Sequence, residues 1–255
     1  MRLIDTHCHL YFEPMKSGFA SVITRARAAG VEIILVPAYD LASWSDCMAL
    51  EEHEGVFTAF GLHPWVSAET PQWGELRRLL RLPKAVAVGE IGLDYKIENA
   101  DRVRQMELLK MQIEIALECD LPVMLHCRGA FEELFRLLEG YAPDLRGVLH
   151  AFSRGPDLAR EAVKLGLYLA FGGAITRPKA ERARRSAVFV PDDRMLLETD
   201  APSIGLEGIP PESVEPAHTT KIASELASLR GQSLERIAEL TYANTLRLFR
   251  ILNTA

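Results

Sequence analysis

Apolar residues along this chain gather in short runs separated by longer amphipathic stretches. Runs rich in Val, Ile and Leu fall at 3–5, 33–36, 56–62, 85–91, 123–125, 147–149, 167–171 and 195–197. Their continuous apolar character predicts parallel strands buried on both faces. Between them the period changes. Phe131, Leu134, Phe135 and Leu138 sit at i, i+3, i+4 and i+7. Val103, Met106, Leu109, Ile113 and Leu117 form a second stripe, and Leu234, Ile237, Ala238, Tyr242, Leu246 and Phe249 a third. Such stripes predict helices packed by one face. Strand and helix alternating through eight units predict an α/β fold, a closed (β/α)8 barrel of the TIM type, with residues 1–255 as one domain. Residues 202–216 break the pattern. Pro202, Gly205, Gly208, Pro210, Pro211 and Pro216 mark them as a long loop.

Composition narrows the class. A length of 255 residues is ordinary for one such barrel. No apolar run is long enough to cross a bilayer, and Met1-Arg2-Leu3-Ile4-Asp5 does not begin a signal peptide. A cytoplasmic location is therefore expected, with no membrane and no obligatory protein partner. The formal net charge of -6 speaks against a broad basic surface for nucleic acid, though not against a local basic groove. The four cysteines, Cys8, Cys47, Cys119 and Cys127, have no paired spacing, so no disulfide framework is expected. Cys8 and Cys127 adjoin histidines but read as small buried thiols rather than ligands.

Active sites of such barrels lie at the C-terminal ends of the strands. The first run ends in Asp5-Thr6-His7-Cys8-His9, the third in Gly61-Leu62-His63-Pro64, and the fourth in Gly89-Glu90-Ile91-Gly92-Leu93-Asp94-Tyr95. The fifth ends in His126-Cys127-Arg128, the sixth in His150-Ala151-Phe152-Ser153, and the eighth in Glu198-Thr199-Asp200. All the histidines but His53 and His218 stand at these ends. Side chains alternate along a strand, so His7 and His9 point to one side and Cys8 to the other. Two imidazoles aimed at one point chelate a metal ion, or they are a hydrogen-bonded core pair. His126, His150, Glu90 and Asp200 at neighbouring strand ends favour the metal. Four imidazoles and two carboxylates exceed the needs of one catalytic zinc, which points to two divalent ions from among Zn, Mg, Mn, Fe and Ni. Glu90 is the natural bridge, because its strand lies between the others.

The remaining polar residues have double readings. Asp200 is a ligand or the base that orients water, or else a helix N-cap. His63 touches substrate or stabilises a loop. Asp94 and Tyr95 have the same two readings, and Asp94, like Asp5, is alternatively a brace behind a ligand. Arg128 and Arg154 are placed to hold phosphate oxygens. The basic run at 177–185, with Arg177, Lys179, Arg182, Arg184 and Arg185, reads as a solvated helix face.

These motifs together resemble the TatD family of metal-dependent deoxyribonucleases, within the amidohydrolase-type barrels. Leu121-Pro122-Val123 before His126 and Ala201-Pro202 after Asp200 belong to the same likeness. The resemblance implies that His7, His9 and Asp200 hold one ion, that His126 and His150 hold the other, and that Glu90 bridges them. It implies hydrolysis of phosphodiester bonds, commonly exonucleolytic on DNA. Water activated at the metal site would then attack, with Asp200 taking its proton, Arg128 or Arg154 positioning the phosphate and His63 assisting the leaving group. Some positions depart from the family pattern. Arg154 stands where a Gly often follows Phe-Ser, Cys127 where another small residue is common, and Ser213-Val214-Glu215-Pro216 where an Asn-x-Pro segment is frequent. The loop also carries Glu207 and Glu212, whose charge would repel a polyanion at the mouth. Two further readings therefore stay open. One is hydrolysis of another ester or amide, for example an aminoacyl ester on tRNA. The other is an inactive barrel that binds metal or nucleic acid.

Overall fold

A computed structural model describes residues 1–251 of the chain. Its elements run β1 (Leu3–Asp5), α1 (Phe19–Ala28), β2 (Val31–Pro37), α2 (Leu41–Leu50), β3 (Val56–Phe60), α3 (Trp73–Leu79), β4 (Ala85–Asp94) and α4 (Arg102–Glu118). They continue through β5 (Val123–Arg128), α5 (Phe131–Glu139), β6 (Gly147–Leu149), α6 (Pro156–Lys164), β7 (Tyr168–Phe171), α7 (Glu181–Phe189), β8 (Met195–Leu197), α8 (Thr219–Arg230) and α9 (Leu234–Phe249). The eight strands form one parallel sheet in sequence order. The sheet closes on itself beyond β1 and β8, where the Thr6 amide donates to the Leu197 carbonyl at 3.0 Å and Cys8 bridges Ala201.

The strands divide their side chains between two cores, as period-two alternation requires. Leu35, Ala59, Met124, Val148, Ala170 and Leu196 pack together inside the barrel. Ile34, Val36, Val123, Leu125, Leu149 and Leu197 face the helices instead. Following the interior rows upward from Met124 and Val148 leads to His126 and His150. The sequence therefore aims those two imidazoles inward by parity alone. Strand β4 does not obey simple parity, because its register against β5 shifts between Val88 and Ile91. Two glycines allow the close approach there. A Cβ on Gly89 would lie 2.6 Å from that of Met124, and one on Gly92, whose φ is +149°, would lie 2.0 Å from the His126 carbonyl oxygen.

Helix α4 departs from its predicted stripe. Leu109 and Ile113 are buried, but Val103 is 72% exposed and Leu117 36%. The buried face runs instead through Gln105, Leu108, Gln112 and Ile115. The two glutamines explain the offset. Gln105 accepts from the Asp94 amide at 2.8 Å and donates to the Asp94 carbonyl at 3.1 Å. Gln112 does the same for Leu62, at 2.7 and 3.2 Å. Backbone groups at the ends of β3 and β4 have no ladder partner there, and a buried amide satisfies both at once. Gln112→Ala is expected to destabilise the fold by about 2–3 kcal/mol, since it orphans a buried donor and a buried acceptor. Urea unfolding measures this. A midpoint equal to that of the parent would mean water replaces both bonds.

Residues 202–216 are a loop, as expected, but an ordered one. Leu206 and Val214 are buried, and Glu215 accepts two bonds from Arg25 of α1 at 2.7 and 2.6 Å.

Candidate metal centre

The strand-end histidines and carboxylates converge at the C-terminal mouth of the barrel. Beyond β1 the chain stays extended, and the Cys8 amide donates to the Leu35 carbonyl. Cys8 consequently joins the helix-side core, while His7 and His9 face inward with their Nε2 atoms 3.2 Å apart. Glu90 sits at the centre, and its two oxygens divide the ring. Its Oε2 is 3.1 Å from His7 Nε2 and 3.8 Å from His9 Nε2. Its Oε1 is 3.0 Å from His126 Nδ1, 2.8 Å from His150 Nε2 and 3.2 Å from His63 Nε2. Asp200 Oδ1 lies 3.6 Å from His9 and 3.9 Å from His7. No helix follows Asp200 to be capped; its backbone is left-handed, with φ at 51°, and its amide donates to the His7 carbonyl at 2.8 Å.

Hydrogen bonds from behind settle which nitrogen each ring presents. The Tyr11 hydroxyl donates to the Pro37 carbonyl at 3.0 Å, so its oxygen accepts from His9 Nδ1–H at 3.0 Å. The Nε2 lone pair of His9 is left facing the centre. His126 gives Nε2–H to Asp94 Oδ2 at 3.1 Å and presents Nδ1. His63 is different. Its Nδ1 accepts from the Trp65 amide at 3.2 Å, so the proton of the neutral ring sits on Nε2, aimed at Glu90. His63 is thus built as a donor, where His9 and His126 are built as ligands.

The donor set fits divalent cations. Single ligand atoms of His7, His9 and Glu90 lie within 4.8 Å of one another, as do those of His63, Glu90 and His126, and those of His7, His150 and Asp200. Nitrogens are packed against nitrogens, at 3.1 Å between His126 and His150, and Nδ1 of both His7 and His150 lacks any partner. Buried polar atoms placed in this way are costly unless a cation lies between them.

A sequence model described as TatD related DNase matches residues 4–250. The chain belongs to the TatD family. It is 34% identical over 255 residues to the uncharacterized metal-dependent hydrolase YabD of Bacillus subtilis, covering 98% of this chain and 99% of that one. It is 32% identical over 239 residues to the 3'-5' ssDNA/RNA exonuclease TatD of Citrobacter koseri, covering 90% and 92%. The crystal structure of YJJV, a TatD homolog from Escherichia coli K12, superposes with a TM-score of 0.94 at 35% identity, covering 98% and 99%. This TatD-family barrel is a metal-dependent hydrolase.

Charge in this TatD site is set by burial against pairing. Burial opposes the Glu90 charge, but His150 above all holds its carboxyl well below the ordinary value. Burial likewise opposes ionisation of Asp200, but the histidines around it, the charged His150 among them, hold it below its ordinary value. Burial lowers His150, yet Glu90 raises it to about 10. Burial and the His150 charge push His7 down to about 4, so its ring is neutral. No helix among the described residues is long and apolar enough to cross a membrane.

Asp94 stands behind a ligand candidate, as expected, and is a hub: Oδ2 faces His126, accepts from Trp65 Nε1 at 2.7 Å and lies 3.3 Å from Arg128, while Oδ1 accepts from the Lys96 amide at 2.9 Å. Other participants are not legible in the sequence. Glu198 is fully buried, raised to about 8 chiefly by burial, and accepts from the Ala151 amide beside His150. Tyr11 and Trp65 carried no pattern at all, since their partners are distant in sequence or on a loop. Asp5 braces both strand ends, accepting from the Thr199 amide and hydroxyl at 2.9 and 2.6 Å and from the His7 amide at 3.3 Å. Tyr95 packs under Arg102 instead.

Above the cluster lies a cavity of about 630 Å³. Arg128, Arg154 and Lys96 line it with His126, His150 and Asp200. The Arg154 guanidinium lies 5.4 Å from the Phe131 ring centre. Glu207 and Glu212 are exposed elsewhere, and among the described residues Asp200 is the one carboxylate in the lining. The basic run is mostly solvated, as expected, with Arg177, Lys179, Arg182 and Arg185 exposed and Arg184 half-buried. Arg184 donates to the Ile175 carbonyl and Glu225, and Arg177 to the Gly205 carbonyl.

Proposed function

We propose that this chain hydrolyses phosphodiester bonds at an end of DNA, with two divalent ions. The carrying observation is the union of a buried His and carboxylate cluster with three cationic side chains on one cavity wall. The exonuclease name of the Citrobacter relative supports the same reading. His7, His9 and Asp200 would hold one ion and His126 and His150 the other. Glu90, whose two oxygens already face the two groups separately, would bridge them. When bound, such ions supply Lewis acidity, which acidifies water and offsets charge developing on a phosphoryl oxygen. Asp200, held anionic, accepts the proton of the attacking water. Arg128 and Arg154 grip the non-bridging oxygens. His63, a neutral donor through Nε2–H, hydrogen-bonds the departing oxygen, whose proton comes from solvent. Because Glu207 and Glu212 do not line this cavity, the acidic loop gives less support to an ester of another class.

The test is a substrate panel with and without chelator. Single-stranded DNA is expected to be degraded from one end, and chelation is expected to cut the rate by 100-fold or more, on the order of the loss of one strong electrostatic stabiliser. Restored divalent ion should recover it. Turnover of aminoacyl-tRNA or small carboxylic esters, with DNA left intact, would reject the phosphodiester reading.

A further inference from the structure

The mouth of the barrel is polarised. Loops after β4, β5 and β6 carry Lys96, Arg128 and Arg154. The adjoining rim, formed after β1, β2 and β3, is aromatic. Phe12 and Tyr39 have ring centres 6.4 Å apart, and Tyr39 and Trp65 6.3 Å. Phe12 is 37% exposed and Trp65 47%. The arc borders the metal cluster directly, since Phe12 lies 5.3 Å from the His9 ring and Trp65 5.1 Å from the His63 ring.

Trp65 is the informative member. An indole is among the most rewarding side chains to bury, and its N–H wants a partner. Here the N–H is satisfied from behind by Asp94, and the backbone amide by His63. The ring is fixed at both ends, yet it stays open in the cavity that Arg128 and Arg154 also line, and it shares the Asp94 Oδ2 acceptor with Arg128. A rigid aromatic face beside a set of cations complements a ligand that is flat at one end and anionic at the other. Nucleotides have that shape.

We propose that Trp65 is a stacking platform for an unpaired nucleobase next to the scissile phosphate, with Phe12 and Tyr39 extending the rim. The basic wall takes the phosphates and the aromatic wall the base. A base inside a duplex has both faces covered, so only an unstacked one can offer a face to the ring. The rim thereby selects single strands or frayed ends. This inference rests on the phosphodiester reading above.

The experiment compares Trp65→Phe with Trp65→Leu. Both lose the bond to Asp94, so any fall in kcat from that loss is common to the two. Only the leucine variant loses the aromatic face. Substrates are a single-stranded oligothymidylate and versions abasic at either nucleotide flanking the scissile bond. Trp65→Leu is expected to raise KM roughly 5- to 100-fold over Trp65→Phe on the intact strand. One abasic substrate should impose a similar penalty on the parent protein, and Trp65→Leu should add nothing further on it. Equal KM for the two variants, or an undiminished effect on both abasic strands, overturns the platform. A second readout does not need turnover. Oligothymidylate added to chelator-treated protein is expected to quench an emission component that Trp65→Phe lacks. Quenching without cleavage under any metal would reject the nuclease reading and keep the platform. Cleavage without quenching would do the reverse, and absence of both would reject both.

Discussion

Glu90→Gln is expected to cut hydrolysis by at least about 100- to 1,000-fold, the loss typical when one preorganised electrostatic group is removed. The reason is its position. Glu90 Oε1 and Oε2 together reach five imidazoles within 4.0 Å. Gln keeps the shape but replaces one oxygen with an NH2 that points hydrogens at nitrogens arranged to meet an anion or a cation. Ion content should fall with activity, and elemental analysis of the purified variant measures it. Full ion content with parental kcat would remove Glu90 from the centre.

The same substitution has a signature without any metal. In the ion-free protein Glu90 raises His150 from its ordinary 6.5 to about 10. A group raised on folding contributes its stability in full below its unfolded pKa and loses it as pH climbs through the folded one. Urea unfolding of chelator-treated parent protein should therefore show stability declining between pH 6.5 and about 10. Glu90→Gln should flatten that decline, because the charge that raised His150 is gone. A decline of unchanged slope would mean that another carboxylate holds the His150 proton.

Asp200→Asn is expected to lower kcat by about 100- to 10,000-fold, the usual range for a general base, with much less change in KM. Asp200 is the lining carboxylate of the cavity and is held below its ordinary pKa by the histidines around it, the charged His150 among them. Asn preserves the volume and the left-handed backbone, which this residue type tolerates well. The split between kcat and KM, read on single-stranded DNA, decides the role. A rise in KM alone would make Asp200 a group that binds substrate rather than one that takes its proton.

Much of the site was legible from strand parity. Met124 and Val148 line the barrel interior, so His126 and His150, two residues on, had to face inward. The His7-Cys8-His9 triplet was legible for the same reason, with Cys8 turned to the helices. Parity failed in β4, where the register shift before Ile91 rests on close glycine contacts that no pattern of apolar residues encodes. It also misjudged α4. A stripe drawn through Val103 and Leu117 ignored that glutamines can be the buried residues, because strand ends need amides more than they need methyl groups.

The sequence by itself determined the barrel, the order of its strands and the inward aim of His7, His9, His126 and His150, and it put Glu90 and Asp200 at the same mouth. Those follow from period, parity and the rule that parallel strands end at one mouth, all of which are local or topological. Only the tertiary structure decided which nitrogen each ring presents, because Tyr11, Asp94 and the Trp65 amide set that through single hydrogen bonds. Only the folded mouth could show that Glu207 and Glu212 stand apart from the cavity while Lys96, Arg128 and Trp65 share it. Charge and stacking act over distances in space, and the spacing of these residues along the chain carries no record of those distances.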